Sequence, residues 1–291
     1  DQAELMDLYR GMSKENLDQI TIGLDRGVSI PAAASSGDVF NFNAVEQGRL
    51  ARKERRQRRY QRQAARRKKG SGRRKRSLRE KTKCGAYAAN VRHDFAHQAS
   101  RKIADSPAEV IVFEDLKVRN MTARPKPQKD GNGAYQPNGA KAKAGLNRSI
   151  LDSAWGKIRI FSTYKAKRLN KLVLAVHPHG TSQECSRCGH THPDNRLKQA
   201  LFECMDCGHR ENADINAARV IKARGISGLT SGEFAIKDRK RAMRLRKKSV
   251  LGQGLPDVMR GEKNVRRDEA INLIPLSSVN RETPTTIAQA I

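Results

Sequence analysis

Residues 109–116 read EVIVFEDL, and this short stretch decides the fold class. Val110, Val112 and Glu114 fall on one side of an extended chain, Ile111 and Phe113 on the other. Apolar residues on both sides predict a central strand covered on each face by helices, the pattern of an α/β sheet. Glu114 then stands at the end of a buried strand, where a carboxylate needs a partner or a cation.

Working outward, QITIGLDRGVSI (residues 19–30) predicts a strand in which Ile20, Ile22 and Leu24 alternate with Thr21, Gly23 and Asp25. Asp25 is placed near its end, on the side shared with Gly23. The following PAAASSGDVFNFN adds a turn and short extended runs, so a meander of two or three strands is expected. KLVLAVHP (residues 171–178) predicts a further strand. LNRSILDSAWGKIRIFSTYKAKRL predicts a helix with Ile150, Ala154, Ile158 and Phe161 as its core stripe. The Pro-, Gly- and Lys-rich residues 121–145 read as a mobile loop.

Charge narrows the function classes. The 291 residues hold 59 Lys or Arg against 30 Asp or Glu, a net of +29, and such a field concentrates polyanions. Residues 49–83 alone hold 19 Lys or Arg against Glu54 and Glu80, in two helix-forming runs about a Gly-Ser-Gly break. A helical hairpin over 45–104 is expected, contacting phosphates through Arg52, Lys53, Arg55, Arg56, Arg58, Arg59, Arg62, Arg66 and Arg67. Alone, such a run reads as a solvated face. Like charges at this density, however, repel unless a polyanion neutralises them. No run of about 18 apolar residues predicts a membrane span, and the N-terminus lacks the pattern of a secretory signal.

Five cysteines are present. Cys84 stands alone and reads as an ordinary packed thiol. Cys185, Cys188, Cys204 and Cys207 form two Cys-x-x-Cys pairs, each followed by glycine (Gly189, Gly208). Two such turns complete a tetrahedral thiolate shell for structural Zn2+, closed to catalysis. His190, His192 and His209 are spare ligand candidates, more simply read as solvent-facing or phosphate-contacting imidazoles. A reducing, cytoplasmic setting follows from a metal site in place of disulfides.

Directly after the second pair, NADINAARVIKARG predicts a helix capped by Asn212 and ended by Gly225. Asp214 shares its sheet-facing side with Ala217, Ala218 and Ile221. Taken singly it reads as a first-turn acid or a salt-bridge partner. Asp25, Glu114 and Asp214 together would repel one another at one sheet edge unless divalent cations lie between them. Two Mg2+ ions held there suit phosphodiester hydrolysis.

The ordered series IGLDRGV, VIVFEDL, LNRSILDSAWGKI, TSQECSRCGH, FECMDCGH and NADINAARVI resembles the TnpB family, RNA-guided nucleases of insertion sequences related to type V CRISPR effectors. The resemblance runs from about residue 19 to 225. It implies a RuvC-like nuclease domain of the RNase H-like fold (an α/β mixed sheet with flanking helices) and an inserted zinc ribbon. By motif it assigns Asp25, Glu114 and Asp214 as catalytic Mg2+ ligands and the four cysteines as the zinc site. It implies guide RNA and target DNA as partners. The division it suggests is a remnant of an N-terminal region at 1–18, a nuclease part at 19–180, and the ribbon at 181–210. The last nuclease helix follows at 211–225, then a basic, disordered tail at 226–291. The chain departs from the family at Arg26, where an apolar residue is commoner, and at its Asn-Ala-Asp stretch. Residues 1–18 are too few for the family's N-terminal recognition region, so the chain reads as a C-terminal nuclease half or a truncated copy. A non-cleaving nucleic-acid binder and a transposase accessory protein are the alternatives.

Overall fold

The computed structural model describes residues 2–234. Helices α1 (Gln2–Arg10) and α2 (Lys14–Ile20) lead into strands β1 (Thr21–Asp25), β2 (Ala32–Ala34) and β3 (Val39–Phe40). A long hairpin, α3 (Ala44–Arg66) and α4 (Gly72–Asp105), precedes β4 (Val110–Glu114). Then come α5 (Val118–Met121), the short pair β5 (Gln128–Lys129) and β6 (Tyr135–Gln136), α6 (Ala140–Asp152), α7 (Trp155–Arg168) and β7 (Leu172–Val176). A small hairpin of β8 (Leu201–Glu203) and β9 (Arg210–Asn212) runs into α8 (Ala213–Thr230).

The main sheet is mixed, in the order β3-β2-β1-β4-β7. The first three strands pair antiparallel; β1, β4 and β7 run parallel. Every residue of β4 is buried, as its two apolar faces predict. Ile111 and Phe113 join Ile22 and Leu24 against α4 and α7, through Phe95, Ala99, Ile103 and Ile158. Val110 and Val112 face the other way, with Leu172 and Leu174, onto Met6, Leu17, Ile221 and Leu229. Each large apolar side chain so enclosed contributes roughly 1.5–3 kcal/mol relative to exposure. Among the described residues no helix is long and apolar enough to cross a membrane.

Several local expectations are corrected. The first strand starts at Thr21, because Ser13 caps a helix that continues through Ile20. Within residues 1–18, Met6, Tyr9 and Leu17 belong to the core beneath β4 and β7. The loop at 121–145 contains the β5–β6 hairpin, whose turn is held by Asp130 accepting from the Asn132 and Ala134 amides, and the start of α6. The single helix expected over 146–169 is two, broken where Ala154 takes a left-handed φ of 59°. Gly225 does not end α8. The helix continues to Thr230, and Gly225 instead lies against Val112, where a Cβ would stand 2.4 Å from Cγ2. Ile226, Leu229 and Phe234 lie in the core, so the expected tail does not begin at 226; its part from 235 onward lies outside the described residues.

Gly23 is the other close approach. A Cβ there would stand 2.1 Å from the Ala218 carbonyl oxygen, so only glycine lets α8 lie this near β1. That contact fixes which face of the sheet α8 covers.

Candidate active site

β1 and β4 are parallel neighbours with Leu24 opposite Phe113, so Asp25 and Glu114 end adjacent strands side by side. Strand alternation turns both away from the α4–α7 layer and toward α8. Asp214 opens α8. The Asn212 carboxamide oxygen caps that helix by accepting from the amides of Asp214 (3.0 Å) and Ile215 (3.3 Å). Asp214 lies beneath the loop after β1, since a Cβ on Gly27 would stand 3.8 Å from its Oδ2. The structure thus brings the three acids to one sheet edge.

Their electrostatics reflect this. Burial, then the charges of Glu114 and Asp214, push the Asp25 carboxyl from 3.8 up to about 7. Burial also raises Glu114, opposed by the Thr181 hydroxyl, which donates to Glu114 Oε1 at 2.6 Å, and by Arg26 and Arg224. Arg196 donates from Nη2 to Asp214 Oδ1 at 3.1 Å, and its charge reaches Asp25. Arg26 is only 4% exposed and donates from Nη2 to the Glu114 backbone oxygen at 2.5 Å. Burial lowers Arg26 to about 10, so it stays charged at neutral pH. Asp115 lies on the opposite side, exposed, and pairs with Arg159 of α7 at 3.1 Å. Three oxygen-donor carboxylates suit a hard divalent cation. Among the described residues, their oxygens do not form a set lying mutually within 4.8 Å; the four cysteines do.

The cysteine sulfurs stand 3.7 Å apart for Cys185–Cys207 and 3.6 Å for Cys188–Cys204. A tetrahedron with zinc–sulfur bonds of about 2.3 Å has edges of roughly 3.8 Å, so this cluster can bind a metal such as zinc. The two knuckles share one backbone pattern. The Cys185 and Cys204 amides donate to the carbonyls of His190 and His209, and the Gly189 and Gly208 amides donate back to those cysteines. Both glycines have positive φ, 78° and 68°. His190 and His192 stack on each other, and His209 faces Glu211; none belongs to the sulfur cluster. Cys84 is buried on α4.

Sequence reasoning missed the residues that tie this module to the acids. Asn195, fully buried, bridges both knuckles, donating to the Gln183 and His190 carbonyls and accepting from the Met205 amide. Its neighbour Arg196 is thereby aimed at Asp214. Asn216, also fully buried, accepts from the Ser186 amide and donates to the Glu184 carbonyl. No local pattern marks Thr181, Asn195, Arg196 or Asn216, because each contact is tertiary.

On α3, Arg52, Arg55, Arg56, Arg58, Arg59, Arg62 and Arg66 are exposed. Lys53 and Arg67 are differently engaged. The Lys53 ammonium lies 4.6 Å from the Tyr87 ring centre, and Arg67 donates to Ser77 Oγ and the Arg73 carbonyl, clasping the hairpin turn. A cleft of about 680 Å3 separates the hairpin from α6 and borders the loop after β1. Its charges pair internally, Arg58 with Glu54 (2.5 Å) and Arg92 with Asp152 (2.8 Å).

Residues 8–124 match the OrfB_IS605 family, described as "Probable transposase", and residues 155–221 match "Cas12f1-like, TNB domain". The "Putative RNA-guided DNA endonuclease InsQ" of Escherichia coli (strain K12) is 38% identical over 218 residues, covering 73% of this chain and 51% of that protein. The "Putative RNA-guided DNA endonuclease" of Streptomyces pristinaespiralis is 28% identical over 230 residues, 79% of this chain and 51% of that protein. The chain spans about half the length of these relatives. A solved Cas12f1–sgRNA–target DNA complex is 19% identical with a TM-score of 0.43, covering 70% of this chain and 50% of that one. The sequence matches bear out the resemblance to the TnpB family drawn from the motifs.

Proposed function

We infer that this chain, in which an OrfB_IS605 transposase segment is followed by a Cas12f1-like TNB segment, is a divalent-metal-dependent DNA endonuclease directed by a guide RNA and associated with a transposable element. The observation that carries this reading is the meeting of Asp25, Glu114 and Asp214 on the α8 side of one sheet edge. The sheet order, antiparallel through β3, β2 and β1 and parallel through β4 and β7, supports an RNase H-like, RuvC-like nuclease domain. Three acids grouped so that burial and the charges of Glu114 and Asp214 raise the Asp25 carboxyl suit a pair of Mg2+ ions.

Bound Mg2+ would supply Lewis-acid polarisation of a phosphate oxygen and a water of lowered pKa. The chain's own residues do the rest. Asp25, Glu114 and Asp214 hold the ions, Thr181 orients the Glu114 carboxylate, and Arg196 offsets the charge on Asp214. The four thiols hold Zn2+ as a structural ion. The exposed arginines of α3 grip phosphate backbones without reading bases, and sequence choice falls to pairing between guide and target.

The test is cleavage in Mg2+ by the purified chain carrying its co-purifying RNA, on DNA complementary to that RNA. Asp25→Ala, Glu114→Ala and Asp214→Ala should each nearly abolish cleavage. The triple variant should be little worse, since the acids act as one unit. Asp115→Ala is the neighbouring control and should cleave. Guide-dependent binding by the parent with no cleavage in Mg2+ would replace this reading with the non-cleaving one.

A further inference from the structure

Arg26 is a buried cation that the reading above does not use. Its guanidinium lies 5.8 Å from the centre of the Phe113 ring, on the α4–α7 side of the sheet, and is 4% exposed. One nitrogen donates to the Glu114 carbonyl oxygen; Nε has no hydrogen-bond partner among the described residues. Among the described residues no carboxylate approaches it within 4.0 Å, unlike Arg159, Arg196 and Arg224, which each make an ion pair. The opposite charges that act on it, Glu114, Asp25 and Asp115, do so from further off and are opposed by the Arg159 guanidinium. An unpaired buried charge is costly, and an apolar side chain would fill this space against Phe113 more cheaply.

We propose that Arg26 is a positioning residue that sets how tightly the three-carboxylate site holds divalent cations, acting as a fixed positive charge beneath that site. The proposal rests on the metal-dependent reading above. Through its bond to the Glu114 carbonyl, Arg26 fixes the end of β4, so the Glu114 side chain leaves the sheet at a set point. Through its charge it offsets part of the negative potential of Asp25, Glu114 and Asp214. A divalent ion entering among the acids is repelled by a guanidinium one layer away. At interior separations below about 10 Å that repulsion weakens binding by roughly tenfold or more. A scissile phosphate restores the missing negative charge. Metal loading is therefore coupled to nucleic acid, in keeping with the habit of Mg2+ of sharing its ligands between carboxylates and phosphate.

The experiment titrates Mn2+ into the zinc-loaded chain without nucleic acid at pH 8.5, following free Mn2+ by electron paramagnetic resonance. Parent, Arg26→Gln, Arg26→Lys and Asp25→Asn are compared. Arg26→Gln keeps an amide donor but removes the charge, and should bind Mn2+ about tenfold tighter or more. Arg26→Lys keeps the charge and should stay within about twofold of the parent. Equal affinity in parent and Gln variant, or equal shifts in the Gln and Lys variants, overturns the proposal. If the Gln variant does not fold, Arg26→Met takes its place with the same expectations. If parent and variant both lack binding that Asp25→Asn removes, the metal-site reading itself falls. If Asp25-dependent binding is present and Arg26 does not move it, only the present inference falls.

Discussion

Asp25→Asn gives a direct measure of the charge stored at the sheet edge. In the metal-free chain the Asp25 carboxyl is raised from 3.8 to about 7. Between those values the native state keeps a proton that the unfolded chain releases. Native protein thus binds more protons than unfolded, and stability falls as pH rises through this window. The penalty is absent below the unfolded pKa and complete above the folded one. A shift of about three units corresponds to roughly 4 kcal/mol at most. About half is already felt at pH 5.5, so the rise from pH 5.5 to 8.5 is roughly 2 kcal/mol. Asparagine carries no such charge and Glu114 is common to both proteins, so the difference isolates Asp25. Urea unfolding of zinc-loaded parent and variant in metal-scrubbed buffer should show Asp25→Asn gaining stability over the parent by about that 2 kcal/mol between pH 5.5 and 8.5. Added Mg2+ should narrow the gap, because it binds the folded parent and relieves the same repulsion. A gap that stays flat across this range would refute the claim that burial and the charges of Glu114 and Asp214 together hold the Asp25 carboxyl up.

Three other outcomes are expected. Gly225→Ala places a Cβ 2.4 Å from Val112 Cγ2; chemical denaturation should show a loss of about 2–3 kcal/mol, partly recovered by adding Val112→Ala. Replacing Arg55, Arg56, Arg58 and Arg59 with Gln should flatten the slope of log K against log salt for duplex DNA by up to about 3–4, at roughly 0.9 for each phosphate no longer neutralised; an unchanged slope would make α3 a solvated face. Cys204→Ser breaks a shell whose sulfurs lie within 4.8 Å of one another, so metal analysis of the purified variant should find zinc depleted, while a parent that folds without zinc would refute a structural role.

The strands were legible because β4 carries a two-sided apolar pattern, which its full burial matches, and β1 alternates Ile22 and Leu24 with small residues. The second face of β1, at Thr21 and Gly23, is buried as well, because α8 packs directly on Gly23. The start of α8 was legible because its cap, Asn212, is a local device. Ile20 was misplaced because apolar alternation continues backward from β1 into a helix whose signal is the Ser13 cap. Gly225 was misread because a glycine that lets two elements touch has the same letter as a glycine that ends a helix. Only the position of Val112, far away in the chain, tells them apart. Arg26, Thr181 and Arg196 surround the acids through contacts spanning 88, 67 and 18 residues, which no local period encodes.

The same contacts explain why a cysteine module lies directly before a carboxylate. β9 ends at Asn212 and α8 begins at Ala213, so the second knuckle and the Asp214 turn are continuous chain. The first knuckle is brought to the same helix by Asn216, and its neck by Arg224, which clasps Glu184 and the carbonyls of His177 and His179. Asn195 then joins both knuckles and aims Arg196 at Asp214. Four cysteines held at metal-binding distance thus set more than their own loops. They fix a short segment that carries a cation to the acid, and a helix that carries the acid itself. A disturbed knuckle would let Arg196 and the first turn of α8 drift together. The carboxylate site is therefore a property of two modules, one supplying Asp25 and Glu114 on rigid strand ends, the other holding Asp214 and its counter-charge in register with them.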